Sequence, residues 1–193
     1  MRSPNTNRNC EADRHVTIDP DAYFELSMDE LREVARFAVQ SAEDVLEAFE
    51  EATPSDARPR AAVEAAWEFT NGARRTNLLR ITALDAHRAA TEVGIPWAKH
   101  AATSAGDAAA AAYLHPFAKA NQVGHILRAT AHAACAKELL ADQPGGAVEA
   151  IHQAAARATP VLLDVLRRYP PAPVGKTTVA LNMKMLDELL RAD

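Results

Sequence analysis

The sequence predicts an all-α protein: a single-domain bundle of about seven helices around an alanine-rich central helical hairpin. Three observations carry that expectation. Alanine makes up about a fifth of the chain, while glycine and aromatic residues are sparse, a balance that favours helix. Apolar residues recur three and four apart, and no stretch sustains the alternation of β-branched residues that a half-buried strand needs. The helical stretches are punctuated by breakers such as "TPSDARP" and "QPGG". A chain of 193 residues is long enough to bury a sizeable core as one domain.

Residues 1–20 read as a flexible N-terminal tail and 21–193 as the helical domain. Ser27-x-x-Glu30 is a capping box. It opens an acidic helix over 28–52, with Leu31, Val34, Phe37, Ala38, Val45, Leu46 and Phe49 at largely helical spacing. Asp56 as cap and Pro59 in the first turn start a second helix, which runs through Trp67 and Phe69 to Asn71-Gly72. A third covers 74–93 and closes at Gly94. Pro96 opens a fourth through "AATSAGDAAAAAYL", Pro116 breaks the chain, and a fifth spans 118–141. Small residues along these two helices let their backbones approach closely, which makes 96–141 the central hairpin. A sixth helix covers 146–168 with a kink at Pro160, "PPAPVG" is a stiff linker, and Thr177 or Thr178 caps the C-terminal helix at 178–191.

Net charge is −5 with a pI near 5.8, which argues against nucleic acid as a partner, since backbone phosphates need a basic face. The charge is unevenly spread. Residues 1–56 carry 14 acidic against 5 basic side chains, and the remainder carries 12 against 16. Glu43, Glu47 and Glu50 on the acidic helix are therefore the candidate contacts for a basic partner, although such a run is also what a solvated face looks like. Cys10 and Cys135 form no CxxC pair and offer no disulfide framework, which fits a reducing cytoplasm. The N-terminus has no apolar signal region, and no apolar run reaches membrane-spanning length.

The chemistry-bearing residues concentrate in the hairpin. On the fifth helix Asn121, His125, Arg128, His132 and Cys135 follow one another at helical spacing and form one polar stripe. His125 and His132 stand two turns apart with Arg128 between them, which argues against a metal site, and no cofactor motif is present. On the fourth helix His100, Ser104 and Asp107 share a face. A turn near Pro116 pairs positions whose numbers sum to about 232, setting Asp107 opposite His125 and Arg128, and His100 opposite His132. A carboxylate so placed is expected to stay ionised, orient the imidazole and raise its pKa. The cluster is then an acid/base pocket, a buried network that fixes the register of the bundle, or a partner-facing stripe.

Cys135 reads as a small apolar residue in a close-packed helix rather than an activated thiol. Arg74 and Arg88, with Arg75, Arg80 and His87, make the third helix the most basic and a candidate anion-binding face. "PAPVGKTT" ends like a phosphate-binding loop, but Pro170 stands where the fingerprint needs glycine and no strand precedes it.

Several segments together resemble a known family: Arg58-Pro59-Arg60, Ala86-His87-Arg88-Ala89-Ala90, Ala105-Gly106-Asp107 and Val123-Gly124-His125. Over about residues 26–172 the chain is similar to a bacterial family of small all-helical immunity proteins associated with polymorphic toxin systems. The resemblance implies a cytoplasmic module that binds and neutralises a toxin. The residues alone leave a second reading open: a cofactor-independent enzyme on a small anionic substrate, as in specialised metabolism. In it Asp107, His125, His132 and Arg128 are catalytic, and His100, Ser104, Asn121, Arg74 and Arg88 bind the ligand.

Overall fold

The computed structural model describes residues 23–141 and 144–192; the tail expected over 1–20, with Cys10, lies outside them. Ser27 opens helix α1, Met28–Glu43, with the expected capping box: its Oγ accepts from the Glu30 N–H at 3.2 Å while Glu30 Oε2 accepts from the Ser27 N–H at 2.6 Å. The single helix expected over 28–52 is instead two. Asp44 and Val45 interrupt it, and α2 runs Leu46–Ala52. The reason is packing. The buried face of α1 belongs to the main apolar core, whereas Val45 and Phe49 enter a second cluster with Ala89, Ala98, Ala102 and Ala133, and one straight helix could not serve both.

Helix α3, Arg58–Thr70, has Pro59 in its first turn, where the missing N–H costs nothing, and ends before Gly72 at φ +105. Asp56 contributes Oδ1 to the Arg58 N–H at 3.1 Å, one residue ahead of the N-cap position, Ala57. Helix α4, Asn77–Glu92, begins three residues later than expected. Helix α5, Pro96–Ala110, tightens into a 3-10 turn at Ala111–Tyr113. Residues 115–119 are not helical, and Phe117 makes an isolated antiparallel bridge to Tyr23. A second 3-10 turn, Ala120–Val123, leads into α6, Gly124–Leu140. The expected sixth helix breaks fully rather than kinking, into α7, Gly146–Ala156, and α8, Pro160–Arg167. Pro160 cannot donate to the turn before it, and the Thr159 side chain caps the restart by accepting from the Leu162 N–H at 3.2 Å. Helix α9 spans Thr178–Arg191 with Thr177 as its cap.

Helices α5 and α6 form the centre, with α1, α2, α3 and α4 around α5, and α1, α7 and α9 against α6. Buried alanine runs through both helices: Ala105 and Ala108 of α5 share the main core with Ala131 and Ala134 of α6, and Ala101 of α5 shares the second cluster with Ala133 and Ala136 of α6. Packing so close brings backbone within reach of side chains. Ser104, fully buried, donates to the Ala129 carbonyl at 2.7 Å, and Ser41 on α1 meets Thr130 at 2.8 Å. Among the described residues no helix is long and apolar enough to cross a membrane.

Candidate functional site

Asp107 is the centre of the polar cluster. It sits on α5, 3% exposed, and three side chains from two neighbouring helices converge on it. Arg128 of α6 donates from Nε to Oδ1 at 3.0 Å. His87 of α4 brings Nε2 to 3.7 Å from the same oxygen, and His132 of α6 brings Nε2 to 4.0 Å from Oδ2, beyond hydrogen-bond reach. Among the described residues Oδ2 has no hydrogen-bond donor. Burial pushes the Asp107 carboxyl up from its ordinary range, against the opposing pull of Arg128 and His87, a contribution that the expectation of an ionised carboxylate left out.

The hairpin brings His100 and His132 together: their Nδ1 atoms lie 2.9 Å apart, one donating and the other accepting, with ring centroids 5.1 Å apart. Two charged imidazoles cannot share that contact. Desolvation, then the charges of His100, Arg128, His87 and Lys99, lowers His132 to about 3, and desolvation followed by Lys99 lowers His100. His125 does not reach Asp107 as expected. It hydrogen-bonds to the Ala110 backbone, its buried Nδ1 has no partner among the described residues, and desolvation followed by Arg128 lowers its pKa too. The histidine expected opposite the carboxylate, His125, is thus shifted down rather than up, because burial disfavours its charged form and its ring does not reach Asp107.

The other expected site residues separate. Ser104 is consumed by its bond to the α6 backbone. Asn121 leaves the stripe because residues 120–123 turn with three residues per turn rather than 3.6, and it faces solvent. Arg74 lies exposed in the loop before α4, and Arg88 is paired with Asp85 at 2.6 Å, away from Asp107. Arg75 and Arg80 instead flank the Tyr113 ring, at 5.5 and 4.7 Å from its centroid. Cys135 is buried, receives Asn182 Nδ2 at 3.3 Å, and has its thiol pushed up to about 11 by burial. Glu43 and Glu47 are exposed, but Glu50 is held by Arg60, which donates from Nε and Nη2 at 2.6 and 2.5 Å.

His87 joins the cluster without having been read as part of it. It comes from α4, and the signal was Gly106: a Cβ there would stand 2.9 Å from the Ala83 carbonyl and from His87 Nε2, so only glycine lets α4 carry the imidazole to Asp107. Among the described residues no set of three ligating side chains could hold a metal ion. A depression of about 900 Å³ opens between α1 and α8, lined by Glu30, Arg32, Glu33, Arg36, Val161 and Asp164, away from Asp107. A general base works best with a pKa near ambient pH. His132, at about 3, is a poor one, and what the buried cluster does well is brace α4, α5 and α6 against one another.

No curated protein and no solved structure matches the chain. Residues 25–122 match the family described as Imm-5 like putative immunity protein. The match starts where the resemblance does but ends at Gln122, well short of 172, so it holds His87, His100 and Asp107 and leaves His125, Arg128 and His132 outside. Spanning half the chain, from the entry to α1 through α5, that match makes the protein a member of the Imm-5 like putative immunity protein family.

Proposed function

We propose that the chain is an immunity-type protein that binds a partner toxin and neutralises it, and that the acidic surface where α1 meets α2 is the contact. Family membership carries this reading. The surface is supported by charge: Glu43 and Glu47 stand exposed, and Glu43, Glu50 and Glu64 gather around a single cation, Arg60, leaving local negative charge uncompensated. Such a patch steers and orients a basic partner more than it adds raw affinity.

The test begins with recovery of the tagged protein from its own host and native mass spectrometry to identify a stoichiometric protein companion. Expression of that companion alone should arrest growth, and co-expression should relieve the arrest. Glu43→Lys with Glu47→Lys should then weaken binding by about tenfold or more, chiefly through association rate and with a steep dependence on salt. Glu50 is left untouched because reversing it would break the pair with Arg60. A companion that is harmless alone would overturn the toxin reading. Unchanged affinity in the double variant would overturn the surface.

A further inference from the structure

Arg128 spends one of its five N–H donors inside the protein, the Nε–H given to Asp107. Nη1 and Nη2 have no acceptor among the described residues, and 42% of the side chain is exposed. The outer edge of the guanidinium therefore faces solvent while its inner edge is anchored on a side chain that is almost wholly buried. His87, 35% exposed, approaches the same oxygen of Asp107 from the neighbouring helix. Two glycines make room for this pair. A Cβ on Gly106 would stand 2.9 Å from the His87 ring, and one on Gly124 would stand 3.3 Å from Arg128 Nη1. Neither glycine has a positive φ, so space rather than backbone freedom is what they supply.

The surroundings are uncompensated. Between Glu92 and Glu138 the sequence has one acidic residue, Asp107, and it is buried; the carboxylate of α6 itself, Glu138, stands near the end of that helix and accepts from the Gly145 and Ala147 N–H groups, so Lys99 and Arg128 have no surface carboxylate beside them in sequence. A planar fork with several free N–H groups, held at a fixed angle, matches a planar anion of single charge. One guanidinium and one imidazole suit that better than a phosphate dianion.

We propose that the outer edge of Arg128, with His87 beside it, is a carboxylate-binding site, and that Asp107 is its positioning residue. The site is independent of the toxin-binding reading, whose acidic surface lies on other helices. The carboxylate has two sources, a free small acid or an acidic side chain of a protein, and they share this chemistry.

The experiment follows the Arg128 Nε–H and the His87 ring signals by NMR while acetate replaces chloride at constant ionic strength. Saturable shifts at both residues are expected, and Arg128→Lys, which keeps the charge and loses the fork, should weaken binding by about tenfold. Shifts no larger than those of chloride overturn the proposal, as does equal affinity in a folded Arg128→Lys. If that variant does not fold, the chloride comparison on the wild-type chain decides. Glutarate and a helical peptide with one glutamate between leucines then separate the sources: the tighter binder by about tenfold names the source, and binding of either supports the site.

Discussion

Replacing His132 with asparagine should flatten the loss of stability on acidification. In the folded protein His132 holds its proton only below about 3, whereas the unfolded chain takes it up near 6.5. Between those values the unfolded state binds more protons, so stability is fully present above pH 6.5 and is lost as pH falls through the window. At 1.36 kcal/mol per pH unit the loss from this side chain is about 2 kcal/mol by pH 5, and its ceiling is about 5 kcal/mol near pH 3. Asparagine keeps an acceptor close to the position of Nδ1, facing His100, and cannot take a charge. Urea unfolding followed by circular dichroism at pH 7, 6 and 5 measures the effect. The variant should be less stable than wild type at pH 7 and should recover about 2 kcal/mol of that difference by pH 5. Asp107, whose pKa is raised by burial and so works in the opposite direction, is common to both proteins and largely cancels in the comparison. Parallel profiles would refute the reasoning, because they would mean that His132 takes up its proton in the fold as readily as in the unfolded chain.

Other expectations follow from the same packing. Gly106→Ala should destabilise the protein by about 1–3 kcal/mol in thermal unfolding despite the better helix propensity of alanine, since the atom it meets at 2.9 Å is the Ala83 backbone oxygen, which cannot swing away. A variant as stable as wild type would show that α4 and α5 can part without cost. Cys135 should resist iodoacetamide at pH 8 in the native state and react once urea is added, as read by peptide mapping, because its thiol is buried and titrates near 11. Tyr169→Phe removes the hydroxyl that donates to the His115 carbonyl at 2.8 Å from a fully buried ring, and should cost about 1 kcal/mol or somewhat more. No change there would mean that water replaces the bond.

The hairpin was legible because it obeys arithmetic. Helices lined with alanine meet backbone to backbone, so pairing positions about a proline break was enough to place His100 against His132 and Arg128 against Asp107. The C-terminal helix was legible for a related reason: Thr177 caps it and its apolar face repeats cleanly. Burial, by contrast, leaves no mark in spacing. The stripe shows that His100 and His132 can meet but not that burial lowers both, since desolvation depends on what the neighbouring helices lay over the hairpin. The interruption at Asp44 and Val45 was equally hidden, because Leu46 and Phe49 continue the helical rhythm while serving different clusters. By sequence alone His87 is indistinguishable from surface charge on a basic helix. Its role depends on a glycine in another helix that sequence distance separates from it.

The boundary at Gln122 has a consequence for modularity. The family match contains α5 but not α6, the helix that fills the other half of its alanine seam. A fragment ending there would strip from Ala105 and Ala108 the α6 alanines that share their core, and from Asp107 its arginine, so the match stops in the middle of a folding unit. In this chain the residues beyond Gln122 supply the other half of that seam, with Arg128, Ala131 and Ala134 on α6. The matched segment is one half of a clasp, and α6 is the half that closes it.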